Sequence, residues 1–329
     1  MRVIALEEHV ATAELLNAWS RLASSDRDLA YQPAKQGETA RRLLDTGDVR
    51  RAAMAASGVD VQVLSLTTPG LQNLPVVDAL ALQSSTNERI ADMVRGDPTH
   101  FQGLAALATG SPVKAAAELE RAVRELGLDG AMLYGRTGEI SLDDPALEPI
   151  WSAAEALNVP LHLHPQSPPR SVREAYYSGF DSAVSAGLAT HGIGWHYDSG
   201  LQFLRMVFGG VFDRHPHLQL VIGHWGELVL FYLERVQHLA EIAGLQRSLT
   251  EYARTHLYVT PSGMLSSRYL AWATEVIGTD RILFATDYPF EPASQSGARA
   301  FLETSALPIA AREAIASGNW ERLRAEMRR

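Results

Sequence analysis

The chain has 329 residues, 46% of them apolar, and a formal net charge of −9. That length can bury a large core, and no Lys/Arg cluster stands apart from the acids around it, so a nucleic-acid partner, which would need a basic stripe, is not expected. Cysteine is absent, which removes disulfides, thiolate metal ligands and cysteine nucleophiles.

The first apolar run, Val3-Ile4-Ala5-Leu6, reads as a short buried strand and ends in Glu7-Glu8-His9. Alternate strand residues share a face, so Glu7 and His9 point one way and Glu8 the other. After Arg2 only four apolar residues precede the acids, fewer than a signal peptide needs. No apolar run reaches the ~18 residues of a membrane span. The expectation is a soluble cytoplasmic protein without a membrane partner.

Further strands are expected at Val59–Leu66, Phe101–Leu107, Gly130–Leu133, Pro160–Leu163, Leu218–Ile222, Leu257–Thr260 and Ile282–Ala285. Most are continuous Val/Ile/Leu runs, as in parallel strands buried on both faces. Helical patterns lie between them at Pro112–Leu126, Leu147–Leu157 and Gly226–Ile242. Eight such units favour an α/β fold of the (β/α)8 TIM-barrel type over an open doubly wound sheet. No G-x-G-x-x-G or G-x-x-x-x-G-K-[ST] follows any strand, so the nucleotide-binding signatures of the open sheet are missing. Two long excursions, 11–40 and 166–200, leave the first and fifth strands at the ends where barrel enzymes build their pockets. No linker divides the chain, and one domain spanning 1–329 is expected.

Three later apolar runs also end in chemistry-bearing residues: His164, His224 and Asp287. In a barrel the strand ends converge on one rim, so Glu7, His9, His164 and Asp287 can meet at one divalent ion. Two imidazoles and two carboxylates suit Zn²⁺ or Mn²⁺. Taken singly, a strand-end histidine is more often structural, and a strand-end aspartate often caps a helix. The conjunction of four favours the metal. His162 shares the His164 face one step deeper.

Glu227 follows His224 by three residues, about one helical turn, so the two side chains can meet. A carboxylate that orients an imidazole improves it as a base or proton donor. A capping glutamate beside a buried histidine is an equal alternative. Arg235 lies eight residues past Glu227, about 12 Å along an unbroken helix. It either pairs at the surface with Glu234 or Glu241 or serves a neighbouring subunit's pocket. His215 and His217 flank Pro216 and are expected in solvent. His196 falls in the second excursion, a candidate lid.

Ile4-Ala5-Leu6-Glu7-Glu8-His9, Leu163-His164-Pro165, Gly223-His224-Trp225-Gly226-Glu227 and Ala285-Thr286-Asp287-Tyr288-Pro289-Phe290-Glu291 resemble the amidohydrolase superfamily. Within it they resemble the aminocarboxymuconate semialdehyde decarboxylase-like branch and its nonoxidative aromatic acid decarboxylases, which act on γ-resorcylate (2,6-dihydroxybenzoate) and 5-carboxyvanillate. The likeness covers nearly the whole chain. It implies metal ligands Glu7, His9, His164 and Asp287. It also implies catalytic roles for Asp287, His224 and Glu227, substrate contacts from Arg235 and Tyr288, and a homodimer or homotetramer. The chain departs from the family at Asp198-Ser199-Gly200-Leu201-Gln202, where Glu-Thr-x-x-His is usual, and along Val10–Ser25.

The activity so implied is metal-dependent decarboxylation of a small aromatic carboxylic acid. Asp287 would protonate the ring carbon, and His224, held by Glu227, would stabilise charge on the ring oxygen. The alternative is hydrolysis of a lactone or amide by a metal-activated water, with Asp287 as the base. A non-catalytic member that only binds a ligand is the third reading.

Overall fold

A computed structural model of the chain describes residues 1–291 and 296–329. Its strands are β1 (Ile4–Val10), β2 (Val61–Leu66), β3 (Phe101–Gly103), β4 (Ala105–Ala106), β5 (Ala131–Tyr134), β6 (Leu161–His164), β7 (Leu220–Ile222) and β8 (Leu257–Val259). All neighbouring pairs are parallel, in the orders β1-β2-β3 and β4-β5-β6-β7-β8. β3 and β4 are halves of the third expected strand, interrupted at Leu104, whose N–H donates to Leu64 O at 2.8 Å. The eighth expected strand, 282–285, carries isolated parallel bridges to both edges, Val259↔Ile282 and Leu6↔Ala285. Those bridges complete the circuit of a (β/α)8 barrel.

The strands are apolar throughout because both faces are covered. Inside the barrel Ile4, Leu6, Val61, Val63, Met132, Val221, Tyr258 and Leu283 form one cluster, closed from below by Trp320 and Leu323 of the helix Asn319–Ala325. Outside, Ala5, Leu64, Leu133, Leu163, Leu220 and Val259 pack against the ring of helices. Pro112–Arg124 and Glu148–Leu157 turn apolar stripes inward, as their periodicity requires.

Two expectations change. The pattern read as one helix over Gly226–Ile242 is three pieces, His224–Glu227, Val229–Val236 and His238–Ile242. The first break falls at Leu228, which has φ 67°, a left-handed conformation that stops α-helix propagation. The excursions hold more helix than the one stretch expected, Ala13–Leu22. The first holds Ala13–Arg21, Tyr31–Lys35 and Gly37–Leu44; the second holds short turns and then Gly194–Phe208. Asp28 of the first accepts from Ser167 of the second, through N–H at 3.0 Å and Oγ at 2.8 Å.

Candidate metal centre

β1 delivers its residues through an irregularity. Ile4 and Leu6 face inward, so simple alternation would send Glu8 inward next. Instead the register slips between Ala5 and Glu8, and Glu7 takes φ 61°. A bulge of this kind re-aims side chains beside active sites. Glu7 and His9 therefore face the barrel axis, while Glu8 turns outward to Thr286 and Gln62.

His164 comes from the inner face of β6, and Asp287 follows the 282–285 strand with φ 58°. Donor atoms of Glu7, His9, His164 and Asp287 all lie within 4.8 Å of one another, and all four residues are buried. The His9 and His164 rings meet edge-on with centroids 4.7 Å apart. His9 Nε2 is 3.2 Å from Asp287 Oδ1, and His164 Nε2 is 3.5 Å from Glu7 Oε1.

The polar atoms aimed at the centre lack hydrogen-bond partners. Glu7 Oε1, His9 Nε2 and Asp287 Oδ1 are buried and unsatisfied, whereas the atoms behind them are anchored. Glu7 Oε2 accepts from Thr260 Oγ1 at 3.2 Å and from Ser262 Oγ. His164 Nδ1 donates to Pro165 O at 2.8 Å, which leaves Nε2 as the free lone pair. Buried polar groups are normally satisfied, so convergent orphans backed by outer hydrogen bonds fit a divalent ion. The electrostatics agree. Burial drives His9 well below the ordinary imidazole range and takes His164 down to about 4, so both rings are neutral, as ligands must be. Burial opposes the Glu7 charge, but His162, His224 and His164 outweigh it and hold the carboxyl well below its usual range. Burial, then Glu7, pushes Asp287 well above its own.

The second constellation also forms. His224 Nδ1 donates to Glu227 Oε1 at 2.7 Å, and the His224 ring is 6.4 Å from His164. Burial disfavours the charged imidazole, but Glu227 overrides it and raises His224 to about 10. Glu227 is fully buried, and His224 and His196 bring it down to about 2 against that burial. His196 is the third member, with Nδ1 donating to Glu227 Oε2 at 2.6 Å.

Other residues sit apart. His162 is buried one step below His164, with Nε2 3.5 Å from Glu7 Oε2 and both ring nitrogens unpartnered. Tyr288, expected at the substrate, is instead placed on the outer side of β1. Its ring lies 4.3 Å from the Arg50 guanidinium, and Arg50 binds Gln62 and His9 O. Arg235 is exposed, and its guanidinium pairs with neither Glu234 nor Glu241. His215 is not solvated; it is buried between Glu148 at 2.6 Å and Glu155 at 3.0 Å. Sequence reasoning missed Trp195 and Phe290, whose rings stand 6.3 Å from His164 and 5.7 Å from His9. Neither has a spacing signal. A cleft of about 390 Å³ lies between the excursions, lined by Leu29, Arg173 and Tyr177, and contains none of the four converging residues.

Barrel and rim together define an α/β barrel protein with a mononuclear carboxylate–imidazole cation site. Residues 24–323 match the family described as Amidohydrolase, and the chain belongs to that family. It is 32% identical to a γ-resorcylate decarboxylase of Polaromonas sp., across 97% of each chain. The 5-carboxyvanillate decarboxylase of Sphingomonas paucimobilis superposes with a TM-score of 0.89 at 31% identity, covering 98% of this chain and 99% of that one. The dihydroxybenzoic acid decarboxylase of Polaromonas sp., solved with manganese and the inhibitor 2-nitroresorcinol, superposes with a TM-score of 0.84 at 31% identity, covering 98% and 97%.

Proposed function

We propose that this protein is a manganese-dependent, nonoxidative decarboxylase of a hydroxylated aromatic carboxylic acid. The observation that carries the reading is the convergence of three buried, unpartnered atoms, Glu7 Oε1, His9 Nε2 and Asp287 Oδ1, beside the free Nε2 of His164. Similar proteins of full-length coverage are aromatic acid decarboxylases, one of them with manganese bound. Carboxylate and imidazole donors accept zinc as well; the manganese in that neighbour supports Mn²⁺.

Glu7, His9, His164 and Asp287 would hold the ion, which supplies a Lewis-acidic seat for the substrate carboxylate and the oxygen ortho to it. The chain's own residues carry the rest. Asp287 gives a proton to the ring carbon that bears the carboxylate. That C–C bond then breaks, its electron pair returns to the ring, carbon dioxide leaves, and Asp287 regains a proton from solvent. The His224 imidazolium, paired with Glu227, faces negative charge on the ring oxygen. Trp195 and Phe290 restrict water above the ring.

A homo-oligomer extends the reading. Tyr232, Tyr197 and Leu201 are exposed around an apolar groove of about 280 Å³ that reaches Leu228 and Val236. Arg235 lies on the same helix, free to meet a substrate carboxylate in a second copy's pocket. Location in the cytoplasm is part of the proposal; no described helix is long and apolar enough to cross a membrane.

The test is carbon dioxide release from 2,6-dihydroxybenzoate and 5-carboxyvanillate by chelator-stripped protein, with and without added Mn²⁺. Manganese-dependent release supports the proposal. Acid release from a lactone, with oxygen from labelled water in the product, replaces it with hydrolysis.

A further inference from the structure

Glu227 has two imidazoles, not one. Its Oε1 accepts from His224, which looks into the metal centre, and its Oε2 accepts from His196, which belongs to the second excursion. His196 Nε2 in turn lies 2.9 Å from His191 O, in the turn just before its own helix. Both ring nitrogens of His196 therefore face acceptors, a carboxylate and a carbonyl. The His196 and His224 rings are 4.6 Å apart.

The helix that carries His196 is seated directly on Glu227. A Cβ added to Gly200 would lie 2.1 Å from Glu227 O, so only glycine lets Gly194–Phe208 approach this closely. Glu227 and its neighbours also need holding. His224, Trp225, Glu227 and Leu228 have φ of 46°, 60°, 50° and 67°, conformations that persist only when surroundings enforce them. Nothing in the strand itself fixes the Glu227 carboxylate; its partners are the two histidines.

We propose that His196 is a positioning residue for the reaction: it clamps Glu227, and so aims His224 at the substrate, only while the 188–196 segment is seated on the barrel. Catalytic geometry is then completed by a side chain of the second excursion rather than by the strand ends alone. The proposal rests on the decarboxylase reading for its kinetic arm and is independent of it for its spectroscopic arm.

The experiment compares His196→Ala, His196→Gln and wild type as manganese-loaded protein. His196→Ala is expected to lower kcat about tenfold to a hundredfold, with KM for the aromatic acid and manganese affinity within about threefold of wild type. His196→Gln keeps a donor for Glu227 and is expected to recover most of the loss. The His224 Hδ1 resonance, found in ¹⁵N-imidazole-labelled protein loaded with diamagnetic Zn²⁺ by its loss in His224→Gln, should shift in both variants without any substrate. An unmoved resonance overturns the clamp. So does a kcat unchanged in His196→Ala, or one that falls only in step with manganese affinity and melting temperature. Two manganese ions per wild-type chain, dropping to one in His196→Ala, would make His196 a ligand and also overturn it. Absence of decarboxylation by wild type would defeat the decarboxylase reading and leave the resonance to decide the clamp.

Discussion

The two mouths of this barrel are built on opposite terms. At the carboxyl ends of the strands lie Glu7, His224, Trp225, Glu227, Leu228, Ser262 and Asp287, all with positive φ; among the described non-glycine residues only Asn158, a helix cap, shares that conformation elsewhere. The same rim leaves Glu7 Oε1, His9 Nε2 and Asp287 Oδ1 unpartnered. At the other mouth Trp320 Nε1 donates to Gln102 at 2.7 Å, Asn319 donates to Thr279 O and Ile282 O at 2.8 Å each, and buried Asp129 holds Arg324 and Arg329. Strained backbone and unsatisfied polar atoms each cost free energy. Their segregation says that the floor supplies stability and the rim consumes it to hold groups ready for a ligand.

Four measurements break or sharpen that contrast. Asp287→Asn removes the proton donor and one ligand, so decarboxylation should fall about 10³-fold or more, while the melting temperature holds or rises. A rim variant that unfolds instead would end the division of labour. Trp320→Ala on the floor should do the reverse, costing about 3–5 kcal/mol in a denaturant titration with kcat per folded molecule unchanged. Manganese should then act as the missing partner of the rim. At a hundred times its dissociation constant it adds about 2.7 kcal/mol of stability, read as a raised melting temperature that Glu7→Gln abolishes and Trp320→Ala keeps.

The smallest effect concerns pH, where His256 on the floor and His224 at the rim should act with opposite sign. On the floor, His256 donates from Nδ1 to Leu218 O at 2.9 Å and receives Arg247 on Nε2 at 3.1 Å. Burial lowers it to about 4. The unfolded chain then binds the proton more readily, so stability falls as pH drops from about 6.5 toward 4, by at most about 1.4 kcal/mol per pH unit. At the rim, Glu227 overcomes burial and raises His224 to about 10. Its contribution is fully present below the unfolded value and is lost as pH rises through about 10. His256→Gln should make the acid limb shallower, since His9 and His164 at the rim keep their share of it, and leave the alkaline limb alone.

The sequence exposes what strand ends expose. Glu7, His9, His164 and Asp287 could be grouped because each terminates an apolar run, and barrel closure brings such termini together. The β1 bulge could not be read, because the strand Ile4–Val10 is equally polar or apolar in either register at its end. The break at Leu228 was hidden by continuous helical periodicity from Val229 onward, with Gly226, at φ 90°, the one local sign of it. His196, Trp195 and Phe290 reach the rim only through the packing of Gly194–Phe208 and the turn after Asp287, which leaves no local pattern.

The bridge Leu6↔Ala285 joins two segments synthesised far apart in time. Glu7 and His9 emerge from the ribosome long before Asp287, so a nascent or C-terminally truncated polypeptide offers an incomplete cage. Cation capture is thereby reserved for molecules translated past Asp287.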